Sequence, residues 1–125
     1  MELGESLEDY LEAIYLLSQC LERVRSVDIA SYLGFSKPSV SHAVKVMESQ
    51  KLITLDDNKI ITLTNRGATI AKEVVRRHNF FTDMLISMGV SKEIAQEDAC
   101  RMEHVLSQES FNAIEKFYRK YRAEE

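Results

Sequence analysis

Three side chains with the chemistry of metal ligands fall within one short stretch of this sequence. In Glu97–Ser107, EDACRMEHVLS, Cys100, Glu103 and His104 are spaced i, i+3, i+4. On a helix, at about 100° per residue, that spacing stacks a thiol, a carboxylate and an imidazole on one arc. Ile94, Ala95, Ala99, Met102, Val105 and Leu106 fill the opposite arc. Polar outer faces are common, so the trio also has an ordinary reading as a solvated face. The cysteine is the odd member, because a reduced thiol prefers burial. Its presence implies that something covers this face.

Other candidate ligands lie elsewhere in the chain. Asp9 and Glu12 stand one turn apart on a first helix expected from about Glu5 to Cys20, whose apolar stripe is Leu7, Leu11, Ile14, Leu17 and Leu21. Taken alone they read as a solvated acidic face. His78 lies within the stripe Ile70, Val74, Phe81 and Leu85 of a long helix. Taken alone it reads as a satisfied core histidine.

The elements that would position these groups follow from patterning and caps. Ser26 is expected to cap a short helix, Val27 to Leu33, which the turn Gly34-Phe35 ends. Ser36 caps a third helix with Pro38 in its first turn, where the missing N–H costs nothing. Val40, Ala43, Val44 and Met47 form its buried stripe, while Pro38, Ser41, His42 and Lys45 point outward with Ser39 at the margin. Two short helices joined in this way form a helix-turn-helix. Two β-rich runs, Leu52 to Leu55 and Lys59 to Leu63, flank Asp56-Asp57-Asn58 and read as a hairpin. Helix-turn-helix plus hairpin is a winged helix.

Thr64 then caps the long helix, which runs to about Met88 and tolerates Gly67 in its first turn, and Gly89 closes it. Ser91 caps the Cys100 helix, and a last helix spans Ser107 to about Tyr121. Its Phe111, Ile114, Phe117, Tyr118 and Tyr121 give more apolar surface than one small domain needs. A homodimer through the C-terminal helices is therefore expected, around Met102, Val105, Phe111, Ile114 and Phe117.

Composition bounds these readings. With 125 residues, 45% hydrophobic, the chain is one globular domain or two small lobes sharing a core. No apolar run has membrane length and no leader pattern opens the chain, so a soluble, cytoplasmic protein without membrane partners is expected. Cys20 and Cys100 make no disulfide framework, and Cys20 reads as a small buried apolar residue at a helix end. The net charge of −4 disfavours nucleic acid unless basic charge is segregated. It is segregated: residues 1–22 hold six carboxylates and no Lys or Arg, whereas residues 36–51 hold Lys37, His42, Lys45 and Lys51 against Glu48 alone.

In a winged helix followed by two helices, the polar spots on the first, long and Cys100 helices could converge. Asp9, Glu12, His78, Cys100, Glu103 and His104 would then make one cluster of metal ligands. Packed without a cation or a proton, such carboxylates are costly.

The motifs SLEDYLEAIYLL, VDIASYLGFSKPSVSHAVKVME, LTNRGATIAKEVVRRH and EDACRMEHVLS resemble the diphtheria-toxin-repressor / manganese-transport-regulator family over Glu5 to Tyr121. These are metal-dependent transcriptional repressors. The resemblance implies a mainly α fold: an N-terminal winged helix-turn-helix DNA-binding domain (1–70), then an α-helical metal-binding and dimerisation domain (71–125). It implies double-stranded operator DNA as partner, a dimer through the last two helices, and a metal site between the two parts. Asp9 and Glu12 match the manganese branch, Cys100 matches the iron branch in place of Glu, and His78, Glu103 and His104 match both. Thr82 and Gln96 stand where the iron branch has the Glu and His of an ancillary site, and a short form without the SH3-like third domain is expected. Fe²⁺ or Mn²⁺ is the expected effector, with Zn²⁺ or Co²⁺ possible: thiolate is soft, carboxylates are hard. Ser36, Pro38, Ser39, Ser41, His42 and Lys45 are expected in the major groove, with Lys37, Lys45 and Lys59 on phosphates. Two rivals stay open at this point: a metal-independent winged-helix regulator answering to an organic ligand, and a metallohydrolase using the same cluster.

Overall fold

The computed structural model describes residues 5–123. Among them, six helices and one hairpin follow in the order α1 (Glu5–Cys20), α2 (Ser26–Leu33), α3 (Lys37–Ser49), β1 (Ile53–Leu55), β2 (Ile61–Leu63), α4 (Asn65–Ser87), α5 (Lys92–Met102) and α6 (Gln108–Ala123). The chain divides into two compact units, residues 1–73 and 74–125, and α4 contributes to both.

In the first unit, α1, α2 and α3 close over the hairpin. Leu11, Ile14, Ile29, Val40, Met47, Leu52 and Ile53 are each no more than 1% exposed. Each such side chain contributes roughly 1.5–3 kcal/mol, which holds helices too short to persist alone. Gly34 ends α2 at φ 71°, its N–H donating to the Ala30 carbonyl at 2.9 Å. The cap at the start of α2 is Arg25 rather than Ser26. The Arg25 N–H donates to the Asp28 carboxylate at 2.9 Å, so Ser26 becomes the first helical residue. Ser36 caps α3 as expected, accepting the Ser39 N–H at 3.3 Å, with Pro38 in the first turn.

The wing pairs β1 and β2 antiparallel, with Ile53 opposite Leu63, Thr54 opposite Thr62 and Leu55 opposite Ile61. Asp56 Oδ1 accepts the N–H groups of Asn58 and Ile60 at 2.8 and 2.9 Å, and Lys59 takes φ 63°. This turn chemistry shortens both strands to three residues. The Ile61 N–H reaches back to the Val24 carbonyl at 2.8 Å, anchoring the wing to the segment after α1.

Thr64 caps α4, accepting the Gly67 N–H at 3.1 Å and donating to the Lys51 carbonyl at 2.7 Å. The Thr64 N–H bonds the Leu52 carbonyl at 3.0 Å. Gly67 is therefore required, and not merely tolerated. A Cβ there would lie 2.1 Å from the Leu52 carbonyl oxygen.

In the second unit, Phe80, Phe81, Ala99 and Phe111 form the core, flanked by Met84, Met102, Leu106, Ile114 and Tyr118. The rings meet edge to face at 5.4–5.6 Å between centroids. Arg76 and Arg119 hold Glu115 at 2.6 and 3.1 Å, Arg76 being the main cause of a carboxyl kept below its usual range.

Several expectations fail here for local reasons. Helix α5 stops at Met102, and the backbone turns through Glu103, His104 and Val105. The opposite arc is not all buried, since Ile94 on the first turn and Val105 beyond the helix end are exposed. Phe111 is fully buried in the core and cannot belong to a dimer face. Cys20 and Leu21 are exposed because α1 ends at Cys20, and Cys100 is exposed where a covered thiol was expected.

Candidate metal centre and nucleic-acid interface

The α5–α6 turn carries two of the expected ligands and α4 meets it with a third. Glu103 caps α5, its N–H bonding the Ala99 carbonyl at 3.0 Å, and its side chain is fully enclosed. His78 Nδ1, on α4, lies 2.8 Å from Glu103 Oε2, and His104 Nε2 lies 3.3 Å from Glu103 Oε1. One buried carboxylate thus stands between two imidazoles, each oxygen facing a ring nitrogen. The His104 side chain is 1% exposed and that of His78 is 26% exposed. Burying a carboxylate is costly without positive charge or donors. The groups set around this carboxylate are lone-pair donors, and their types suit a first-row metal.

Cys100 occupies the last turn of α5, one turn before Glu103, with its thiol exposed. In the first unit, Asp9 and Glu12 stand on α1, both half-buried. Thr82, one turn beyond His78 on α4, is buried at 8% exposure and brings no carboxylate.

Sequence reasoning missed Arg77. It is 8% exposed, and its guanidinium donates to the carbonyls of Leu106 at 2.8 Å and Glu103 at 3.3 Å, and to Gln108 Oε1 at 3.0 Å. Its neighbour His78 drew attention by residue type, whereas the run VVRRH offers nothing to mark one arginine as buried.

The second candidate surface is the outer face of α3. Val40, Ala43, Val44 and Met47 are buried, which leaves Ser36, Lys37, Pro38, Ser39, Ser41, His42 and Lys45 exposed together. Ser36 Oγ also donates to Ser39 Oγ at 2.9 Å, so these two hydroxyls hold each other at the helix start. Lys59 is exposed at the wing tip. Short hydroxyls, one imidazole and flanking cations on a helix N-terminus suit a major groove with phosphates at its rim.

A winged helix-turn-helix followed by a helical unit with a histidine–carboxylate centre defines a metal-dependent DNA-binding regulator. Comparison with known proteins agrees. Residues 2–59 match the family model "Iron dependent repressor, N-terminal DNA binding domain". Residues 64–124 match "Iron dependent repressor, metal binding and dimerisation domain". The chain belongs to the iron-dependent repressor family. It is 36% identical over 119 residues to the transcriptional regulator MntR of Escherichia coli, covering 95% of this chain and 77% of that one. An HTH-type transcriptional regulator of Methanocaldococcus jannaschii is 29% identical, covering 96% of this chain and 98% of its relative. The solved structure of the manganese regulator SloR superposes with a TM-score of 0.80 at 29% identity, over 90% of this chain and 53% of that one. The chain thus spans about half the length of that longer protein.

Proposed function

We propose that this protein is a transcriptional repressor of metal-ion homeostasis whose operator binding is switched on by a divalent transition metal, iron or manganese. One observation carries the reading: the enclosed Glu103 carboxylate between His78 and His104. Asp9, Glu12 and Cys100 complete the proposed ligand set. A bound divalent ion would supply positive charge to the enclosed Glu103 carboxylate. Residues 1–70 read DNA, and residues 71–125 hold metal and dimerise. Ser36, Pro38, Ser39, Ser41, His42 and Lys45 address base edges, while Lys37, Lys45 and Lys59 address phosphates. No residue is given a catalytic role, and the proposed location is the cytoplasm, where operator DNA lies.

The dimer face proposed here is the apolar groove of about 390 Å³ lined by Met84, Ala113, Ile114, Phe117, Tyr118 and Tyr121, where Phe117 is 75% exposed. Two recognition helices related by a two-fold axis would read half-sites about one helical turn apart.

Metal binding and DNA binding are then one linked equilibrium. Without metal, the DNA-competent arrangement is a minor one. Metal raises its population, and operator DNA must raise metal affinity by the same factor. The test is operator binding with each metal and with chelator.

Cys100 sets the choice among metals, because a thiolate favours Fe²⁺, Co²⁺ or Zn²⁺ over Mn²⁺. In the same binding assay, Cys100→Glu is expected to move the response towards Mn²⁺. Cys100→Ser is expected to weaken the response to every metal. Unaltered selectivity in both proteins would remove Cys100 from the ligand set.

A further inference from the structure

We infer that Arg77 is a positioning residue for the metal centre, a clamp that fixes the turn presenting Glu103 and His104. The inference rests on the metal-centre reading above and adds to it a residue that donates nothing to a metal. The end of α5 leaves backbone carbonyls without helical partners, as every helix C-terminus does. Here the next element is a turn of five residues before α6, and two adjacent residues of it are ligands. The turn's N–H groups bond back to α5, from Glu103 to Ala99 at 3.0 Å, His104 to Arg101 at 3.4 Å and Val105 to Met102 at 3.3 Å, which leaves the Glu103 and Leu106 carbonyls to be held from outside the turn.

Arg77 holds them. One Nη1 reaches the carbonyl of Glu103 at 3.3 Å and that of Leu106 at 2.8 Å, spanning the turn from its first residue to its fourth. The other arm, Nη2, donates to Gln108 Oε1 at 3.0 Å, and Gln108 in turn donates to Asn112 Oδ1 at 2.9 Å. The guanidinium carbon sits 4.9 Å from the centroid of Phe111, the buried ring on the first turn of α6. The clamp therefore ties the ligand turn to α6 as well as to α4. Its neighbour His78 contacts the carboxylate of the same Glu103 at 2.8 Å. Consecutive residues of one helix thus grip Glu103 by main chain and by side chain. A planar fork with several donors suits this task, and an ammonium, a single point of charge, does not.

Partners of this kind around a metal site change metal affinity roughly 10- to 100-fold when removed. The experiment is Co²⁺ titration of the full chain by calorimetry and by visible absorption, whose d–d bands report ligand geometry, beside thermal unfolding in chelator. Arg77→Gln should lose at least about tenfold in Co²⁺ affinity and shift the d–d bands. Arg77→Lys should recover part of the affinity. Gln108→Ala, a change at an exposed position, should lose a few-fold at unchanged chelator-state stability. Should Arg77→Gln fail to fold, Arg77→Lys and Gln108→Ala decide: wild-type affinity and spectrum in both overturn the inference. Wild-type Co²⁺ binding by a folded Arg77→Gln overturns it directly. If the unaltered protein takes up no Co²⁺, or His104→Ala binds it equally well, the metal-centre reading falls and the clamp falls with it. Lost affinity in His104→Ala alone leaves the centre standing and refutes the clamp.

Discussion

Glu103→Gln protein is expected to fold and to lose metal binding, with affinity down by well over a hundredfold. The side chain is enclosed, with Oε2 2.8 Å from His78 Nδ1 and Oε1 3.3 Å from His104 Nε2. Glutamine keeps the volume, so no cavity opens, and its carbonyl oxygen still accepts one imidazole N–H. What goes is the negative charge, and with it a hard donor that both imidazoles frame. Loss of partners that only orient ligands costs roughly 10- to 100-fold. Loss of a ligand should cost more. Stability in chelator should change by no more than about 1.5–3 kcal/mol, the scale of one hydrogen bond to a charged group. Calorimetric titration with Co²⁺, paired with thermal unfolding in chelator, separates the two effects. Affinity within tenfold of the unaltered protein would remove Glu103 from the centre.

Gly67→Ala should destabilise the protein by roughly 2–4 kcal/mol, although alanine is the better helix former. In an open helix the exchange gains about 1 kcal/mol. Here the added Cβ would fall 2.1 Å from the Leu52 carbonyl oxygen and 3.0 Å from its carbon. Those atoms are backbone and are pinned, since the same oxygen accepts the Thr64 N–H at 3.0 Å. Overpacking among side chains costs about 1–3 kcal/mol, and a backbone that must move as a unit lies at or beyond the top of that range. Leu52 immediately precedes β1, so the shift would also disturb the wing. Thermal unfolding should show a midpoint lowered by about 10 °C. A midpoint at or above that of the unaltered protein would contradict this packing.

Much of the fold was legible because local chemistry and hydrophobic period agree. Ser36 and Thr64 cap the helices they were expected to cap, and Val40, Ala43, Val44 and Met47 are buried as their spacing predicts. Beyond the local failures at Ser26 and Cys20, reading failed where a long-range contact decides. The apolar period of α5 continues past Met102 in the sequence, yet the chain turns at Glu103, where Arg77 takes the Glu103 and Leu106 carbonyls. Cys100 and Glu103 still lie one turn apart with ligand atoms within 4.8 Å of each other, whereas His104 falls in the turn beyond the helix. Phe111 has the same pattern as the exposed Phe117, and only the ring cluster with Phe80 and Phe81 tells them apart. Gly67 carried no sign of the Leu52 carbonyl beside it. Of the proposed ligands, the histidines and carboxylates were visible by residue type, and their meaning came from being placed together.

The most direct test of the central claim is operator binding followed by fluorescence anisotropy in four conditions: anaerobic Fe²⁺, Mn²⁺, Zn²⁺, and chelator. A coupling free energy of about 1–3 kcal/mol corresponds to roughly 5- to 150-fold. Binding should be tighter by a factor in that range with Fe²⁺ or Mn²⁺ than with chelator. Equal affinity in all four conditions would contradict the account.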